Sequence, residues 1–276
     1  MRIRTVGSGT PDVAVVGSVH GDEPCGARAI ERFVDSDLSV NRPVKLIVAN
    51  EEALERNTRF VDVDLNRSLP GDPTSDLREE RLAHRLWTEI DGCTTLGIHS
   101  TVSYADEIGA ASNIDEEQRR LFEGMSLSKV VEMGPVSDGR CSSLPGFVDI
   151  EAGRQGTDQA AENAYQSILE FLTLTGVLDG SVDPSPTEYY EVYDPVYKDV
   201  GVEYRFVAEN FERVGPGETY GYAGGDPLVA DEEFWPVLMS DTGHDELFGY
   251  RARATDTTER WSTTAGRRRG SSRPTD

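Results

Sequence analysis

The stretch VAVVGSVHGDEPCGARAIERFV, residues 13–34, predicts a strand, a polar turn and a helix in direct succession. Its first five residues are apolar and mostly valine, which favours a buried strand. Apolar side chains recur at helical spacing after Pro24, and proline suits a first helical turn. A second apolar run, VKLIVA at 44–49, predicts the next strand. The chain therefore opens with a β-α-β unit, which is typical of a mainly parallel sheet with helices on its faces.

The pattern of alternating strands and helices continues to about residue 178. Residues 75–90 predict an amphipathic helix, TTLGIH at 94–99 and FVDIE at 147–151 predict strands, and a helix follows the second of these strands. Beyond residue 188, segments rich in Tyr, Val and Gly predict β structure. We therefore expect an α/β domain over 1–178, a linker over 179–188, a small β-rich domain over 189–253 and a disordered tail over 254–276.

The charge of the chain is strongly one-sided. Its 276 residues include 50 Asp and Glu against 27 Lys and Arg, which gives a formal net charge of −23. Lysine is rare, and an acid-rich, lysine-poor surface is expected at high salt, where screening acts over about 3 Å at 1 M. An ordinary acidic cytosolic protein is the alternative. Either reading disfavours nonspecific binding to nucleic acid or to anionic membranes.

The cysteines and the apolar segments bear on location. Cys25, Cys93 and Cys141 are scattered and form no CxxC motif, so we expect no disulfide framework and a reducing compartment. The first residues lack an apolar stretch of signal-peptide length, and no run approaches the roughly 20 apolar residues of a membrane-spanning helix. We therefore expect a soluble cytoplasmic protein.

Two histidines lie where predicted strands end. His20 follows the first strand and precedes Glu23 by three positions, and His99 ends the strand at 94–99. Because strand ends of a parallel sheet share an edge, these three side chains can converge. Two imidazoles and one carboxylate form a ligand set of catalytic Zn²⁺ that leaves one position open. A polar turn without metal is the alternative, and we expect His84 on a helix and His244 in a loop.

Two further segments carry candidate catalytic groups. TRFVDVDLNR at 58–67 adds Arg59, Asn66 and Arg67, whose side chains suit a substrate carboxylate. These arginines are equally explained as surface partners of nearby aspartates. Glu151 ends the strand FVDIE and suits a general base, although a solvent-exposed glutamate before a helix is also common.

Taken in order, HGDEPCG at 20–26, TRFVDVDLNR at 58–67, a strand ending in His99 and IEAG at 150–153 resemble the succinylglutamate desuccinylase/aspartoacylase family. These enzymes are relatives of the zinc carboxypeptidases. The resemblance covers roughly residues 13–175. It implies a zinc-carboxypeptidase-like mixed β-sheet flanked by helices, with a small C-terminal β domain after it.

The resemblance also implies roles for individual residues. His20, Glu23 and His99 would bind one Zn²⁺ per chain, and Glu151 would be the general base. Arg59 would stabilise the developing oxyanion of the scissile carbonyl. The remaining positions would bind a substrate carboxylate: Asn66, Arg67 and Arg140, the last lying eleven positions before Glu151.

The chain departs from the family pattern at one position of the metal site. Relatives often carry an acidic residue two positions before the last zinc histidine, where this chain has Gly97. A hydrogen-bonding partner for that part of the site must then come from elsewhere, or the metal site is tuned differently. In the C-terminal region, either His244 or Tyr250 corresponds to a residue that contributes to substrate binding in some relatives.

Together these features predict a zinc-dependent hydrolase that cleaves the acyl amide bond of an N-acyl amino acid by attack of water activated at the metal. Its partner would be a small anionic substrate with a carboxylate. A metallocarboxypeptidase acting on peptides and a non-catalytic zinc-binding homologue are the alternatives. The sequence leaves the acyl group, the amino acid and the oligomeric state open.

Overall fold

A computed structural model describes residues 1–137, 140–183, 185–243 and 245–255. In chain order its strands are β1 Arg2–Val6, β2 Val13–Gly17, β3 Val44–Val48, β4 Thr94–Thr101, β5 Ile108–Ala111, β6 Lys129–Glu132, β7 Phe147–Arg154, β8 Glu188–Tyr197, β9 Tyr204–Phe206, β10 Thr219–Ala223, β11 Asp226–Val229, β12 Trp235–Val237 and β13 Leu247–Thr255. Its α-helices are α1 Cys25–Val34, α2 Glu51–Arg56, α3 Arg78–Ile90, α4 Glu116–Gly124 and α5 Asp158–Leu174.

Most of the strands form one mixed sheet, which confirms the predicted α/β fold. The ten-stranded sheet has the order β1-β3-β2-β4-β7-β5-β6-β8-β13-β12. Its centre is parallel, because β2 pairs in parallel with both β3 and β4, and β4 pairs in parallel with β7. Every residue of β2 is buried, as expected of a strand covered on both faces.

Helices cover both faces of the parallel centre. Because side chains alternate along a strand, odd and even residues of β2 enter different clusters. One cluster contacts α1 and α5 and contains Val13, Val15, Ile30, Phe33 and Phe171. The other contacts α3 and contains Ala14, Val16, Leu82, Leu86 and Ile90. The predicted helix after the first strand is confirmed as α1, and the helix predicted over 75–90 begins at Arg78.

The C-terminal strands extend the same sheet. β8 pairs in parallel with β6 and antiparallel with β13, and β12 forms the outer edge. Only β9, β10 and β11 form a separate three-stranded antiparallel sheet. Hydrogen-bonded pairing thus crosses the segment predicted as a linker, and the division into two domains stays a prediction.

The end of β13 corrects the predicted start of the tail. Ala254 and Thr255 pair with Tyr190 and Tyr189 of β8, so the strand includes the first two residues assigned to the tail. The rest of the predicted tail, 256–276, lies outside the described residues. None of the helices in the described ranges has the length and apolar character needed to cross a bilayer.

Candidate metal centre and active site

The carboxyl ends of β2, β4 and β7 meet at one edge of the sheet. His99 of β4 lies directly opposite Glu151 of β7 in the strand register. His20 follows β2, and its ring centroid lies 5.1 Å from that of His99. The expectation that these strand ends converge is confirmed, although 79 positions separate the two histidines in the sequence.

A tight turn sets the position of His20 and Glu23. Gly21 passes against α2 so closely that a Cβ there would lie 2.0 Å from the carbonyl carbon of Ala53. The amide of Gly21 also donates to the carbonyl oxygen of Arg59, 3.1 Å away. Only glycine fits this approach, which explains why glycine follows His20.

The carboxylate of Glu23 lies between the two imidazoles. Its Oε1 is 2.7 Å from Nδ1 of His20, and its Oε2 is 3.0 Å from Nδ1 of His99. All three residues are buried, and their ligand atoms lie within 4.8 Å of one another. Two ring nitrogens and a carboxylate directed at one another are the donor set of a catalytic Zn²⁺ site, so the residues fit the ion.

The outer nitrogen of each imidazole faces an aspartate. Nε2 of His20 is 3.1 Å from Oδ1 of Asp64, and Nε2 of His99 is 3.6 Å from Oδ1 of Asp149. Neither aspartate was predicted as a site residue from the sequence. Asp64 lies inside the DLNR motif and Asp149 two positions before Glu151, so both were within the segments that carried the prediction.

The ionisation of the cluster follows from its mutual contacts. Burial alone would raise the pKa of Glu23, but the two adjacent histidines outweigh burial and lower it. Burial alone would lower the pKa of His99, but the hydrogen bond and charge of Glu23 raise it to about 10. Without a metal, His99 is therefore protonated at neutral pH, and its proton must leave when a metal binds.

Arg59 lies at the rim of this cluster. Its Nε and Nη2 are each 3.1 Å from Oδ2 of Asp64, and its Nη1 is 3.5 Å from Oε1 of Glu23. Asp64 thus contacts both His20 and Arg59. The lowered pKa of Asp64 reflects these contacts, because burial alone would raise it.

A buried glutamate holds the loop that carries Arg59 and the DLNR motif. Glu79, near the start of α3, is fully buried. Its carboxylate accepts hydrogen bonds from the backbone amides of Val61 at 2.9 Å, Asp62 at 3.0 Å and Val63 at 3.4 Å. The side-chain amide of Asn50 donates to it as well, at 3.2 Å.

Two more arginines, Arg67 and Arg140, line the same cavity as the metal cluster. Both terminal nitrogens of Arg140 are 3.2 Å from the hydroxyl oxygen of Tyr250. The pKa of Arg67 is lowered by its burial and by the charge of Arg140. The side-chain carbonyl oxygen of Asn66 accepts from the backbone amide of Cys141, 2.9 Å away, and its NH₂ group can donate to a substrate.

Glu151 completes the arrangement. Burial, reinforced by the charges of Glu23 and Asp149, raises its pKa to about 7, although His99 acts in the opposite direction. Its Oε2 is buried and has no hydrogen-bond partner among the described residues. A carboxyl group that titrates near neutral pH and keeps a free oxygen is suited to proton transfer.

These groups line a common cavity of about 130 Å³. Polar groups on its wall are His20, Glu23, His99, Glu151, Arg59, Asn66, Arg67, Arg140 and Tyr250. A larger cavity of about 480 Å³ lies at the other end of β4 and β7, beside Trp87 and Phe147, and contains none of these residues. Tyr250 therefore lines the candidate site, whereas His244 lies outside the described residues.

Comparison with known proteins agrees with this geometry. The model of the succinylglutamate desuccinylase/aspartoacylase catalytic domain matches residues 9–124, which include the three candidate metal ligands. Over these residues, which are fewer than half of the chain, the protein resembles the catalytic domain of that family. A probable aspartoacylase of Parasynechococcus marenigrum (strain WH8102) is 35% identical over 104 residues, a match that covers 33% of this chain and only 34% of that relative.

Two longer matches within the family extend over most of the fold. A succinylglutamate desuccinylase of Vibrio cholerae is 21% identical over 258 residues, which cover 81% of this chain and 74% of the relative. The crystal structure of a succinylglutamate desuccinylase/aspartoacylase from Rhodobacter sphaeroides superposes with a TM-score of 0.74 at 18% identity, over 92% of this chain and 89% of that one. The fold of the family is thus present across the described chain.

Proposed function

We propose that the protein is a zinc-dependent amidohydrolase that removes the acyl group from an N-acyl amino acid. The observation that carries the proposal is the position of Glu151, whose pKa is raised to about 7, directly opposite His99 of a convergent His-Glu-His cluster. Similarity to the catalytic-domain model supports the same chemistry, since the similar proteins carry the names of deacylases.

Nδ1 of His20, a carboxylate oxygen of Glu23 and Nδ1 of His99 would hold the metal. A bound Zn²⁺ supplies Lewis acidity, which acidifies water and polarises a carbonyl group. Glu151 accepts the proton of the attacking water on its free oxygen and returns the proton to the departing amine. Its near-neutral pKa makes both transfers accessible at physiological pH.

Arg59 stabilises the oxyanion of the scissile carbonyl in this proposal. Its guanidinium lies beside Glu23, at the metal cluster, and its contacts with Asp64 fix its orientation before substrate arrives. A donor that is oriented in advance toward developing negative charge contributes on the order of 10²–10³-fold to turnover.

The carboxylate of the substrate would be bound by basic and amide groups of the cavity wall. Arg67 and Arg140 place two guanidinium groups there, next to the hydroxyl of Tyr250, and the amide nitrogen of Asn66 adds a donor. Two adjacent cations in a chain of net charge −23 favour an anionic ligand. The small volume of the cavity favours an amino-acid derivative over a polypeptide.

The cysteines and the net charge of the chain indicate the compartment and the salt concentration in which the protein works. We infer a reducing cytoplasm, because Cys25, Cys93 and Cys141 are all free and buried. The net charge of −23 supports function at high salt, where repulsion between like charges is screened. Assays should therefore be run at both low and molar salt.

The test compares N-acetyl and N-succinyl amino acids with short peptides, using zinc-loaded protein. We expect deacylation of at least one N-acyl amino acid, and a loss of 10²–10⁴-fold in Glu151→Gln with zinc content unchanged. Glu116→Gln, at an exposed glutamate of α4, is the matched control. Full turnover by Glu151→Gln would contradict the assigned base.

The other outcomes separate the competing functions. Cleavage of peptides alone would support a metallocarboxypeptidase. Stable zinc binding without turnover of either substrate class would support a non-catalytic homologue. A protein that binds no divalent metal under any condition would contradict the proposal as a whole.

A further inference from the structure

Gly97 and Asp149 face each other across β4 and β7. They are register partners, and each lies two positions before a residue of the site, His99 and Glu151 respectively. Because side chains alternate along a strand, position 97 lies on the same face of the sheet as His99, and position 149 on the same face as Glu151. A group attached at either position therefore enters the same region beneath the metal cluster.

The carboxylate of Asp149 occupies the space above Gly97. A Cβ built on Gly97 would lie 1.9 Å from Oδ1 of Asp149 and 2.5 Å from the ring of Phe147. Real Cβ atoms are essentially never found this close to another heavy atom. A side chain at position 97 and the observed carboxylate of Asp149 therefore exclude each other.

The same carboxylate is the acidic group nearest the outer nitrogen of His99. Oδ1 of Asp149 lies 3.6 Å from Nε2 of His99, and both atoms are buried. Neither atom has a hydrogen-bond partner among the described residues. Leaving a buried donor and a buried acceptor unsatisfied is costly, so a small change in side-chain torsion that joins them is favourable.

The other imidazole shows the completed form of this arrangement. Nδ1 of His20 faces Glu23, while its Nε2 lies 3.1 Å from a carboxylate oxygen of Asp64. His99 repeats this geometry, with Nδ1 toward Glu23 and Nε2 toward Asp149. A carboxylate behind a metal-binding histidine fixes which nitrogen carries the proton and raises the basicity of the other.

We propose that Asp149 is the positioning residue of His99 and that it acts from the space a side chain at position 97 would fill. The glycine at 97 then leaves room for the carboxylate of Asp149 and for the ring of Phe147. The inference rests on the metal site of the proposed function, but it concerns how His99 is held rather than which reaction follows. Asp149 acts through His99 and is not assigned a contact with substrate.

The test measures zinc affinity directly, by competition with a chromophoric chelator. We expect Asp149→Ala to weaken zinc binding by about 10–100-fold, and Asp149→Asn, which keeps an acceptor oxygen, to weaken it less. Asp37→Ala, at an exposed loop aspartate, is the matched control. Nitrogen NMR of the zinc-loaded protein should show a shifted Nε2 signal of His99 in Asp149→Ala, because the proton on Nε2 loses its acceptor, which a purely structural role would not produce.

A variant in which the aspartate and the glycine exchange positions gives a second test. Gly97→Asp alone should destabilise the fold, because two side chains would compete for one space. Gly97→Asp combined with Asp149→Gly removes the contact with Oδ1, so that only the ring of Phe147 has to shift. This variant supplies one carboxylate from the opposite strand and should recover at least tenfold of the lost zinc affinity.

Two results would overturn the inference. Wild-type zinc affinity in both Asp149→Ala and Asp149→Asn would show that His99 needs no carboxylate behind it. A double variant that folds yet binds zinc no better than Asp149→Ala would refute the exchange. If the double variant fails to fold, the Ala and Asn series still decides the question. A wild-type protein that binds no zinc would instead refute the proposed function.

Discussion

The buried carboxylate of Glu79 controls the loop that carries Arg59 and the DLNR motif, and Glu79→Gln tests that control. The charged side chain accepts from three consecutive backbone amides and from Asn50. A glutamine of the same shape keeps one acceptor oxygen and turns an NH₂ group toward the amides that the other oxygen now serves. Buried backbone N–H groups would then face the NH₂ group of the glutamine, which is also a donor.

The magnitude follows from those contacts. A hydrogen bond to a charged group contributes about 1.5–3 kcal/mol, and the substitution removes the charge and disrupts roughly two of the bonds. We therefore expect the free energy of unfolding to fall by about 3–6 kcal/mol. Where the protein remains folded, Arg59, Asn66 and Arg67 lose their common support, so KM should rise and kcat should fall while zinc content is unchanged.

The assay combines urea unfolding with steady-state kinetics and metal analysis. Glu80→Gln is the matched control, because Glu80 is the next residue of α3 and makes none of these four contacts. The pKa of Glu79 is lowered in the folded state, so its contribution should be present above its unfolded pKa and lost on acidification. A Glu79→Gln protein with wild-type stability and wild-type KM would refute the reasoning.

Three further predictions concern other parts of the molecule. Burial raises the pKa of Glu107 to about 7. The free energy of unfolding should therefore be highest below pH 4.5, where Glu107 is neutral, and should fall as the pH rises through 7. Glu107→Gln should be more stable than wild type by about 3 kcal/mol at pH 8 in urea unfolding, and identical pH profiles of the two proteins would contradict this. Gly26→Ala should lower the free energy of unfolding by about 1–3 kcal/mol, because the methyl group of the alanine would lie 2.7 Å from the Cα of Gly17. An unchanged midpoint of urea unfolding would show that α1 can move away from β2. Zinc affinity should fall as the pH is lowered from 8 to 6, because His99 with a pKa of about 10 must lose its proton to bind the metal. For each proton that zinc displaces, the affinity should fall about tenfold per pH unit. Chelator competition at several pH values measures this fall, and an affinity that does not change with pH would argue against proton displacement.

The parallel centre of the fold was predictable because its strands are short, continuous apolar runs. Residues 13–17 and 44–49 were assigned as strands within one residue, since strands covered on both faces lack polar alternation. β1 was missed, because its alternation of arginine with apolar residues belongs to a half-exposed edge strand. The pairing of β8 with β6 joins segments about 60 residues apart, and no local pattern encodes it.

The residues of the candidate site that lie at the ends of predicted strands could be predicted from the sequence. His20, His99 and Glu151 were each found at the end of an apolar run, and the sheet order brings those ends together. Asp64 and Asp149 were not assigned, because two more carboxylates carry no signal in a chain with 50 of them. These two aspartates can be recognised only when the strand register and the positions of the histidine nitrogens are known, and a three-dimensional structure is needed for both.

The space above Gly97 also limits how this chain can vary over evolutionary time. A side chain at position 97 would displace the carboxylate of Asp149 and the ring of Phe147, so positions 97 and 149 do not change independently of each other. Moving the acidic group from one strand to the other in single substitutions requires an intermediate with two acids or with none. The doubly acidic intermediate is crowded, so the accessible route passes through glycine at both positions, at the expense of metal affinity. Among homologous chains the two positions should therefore vary as a pair.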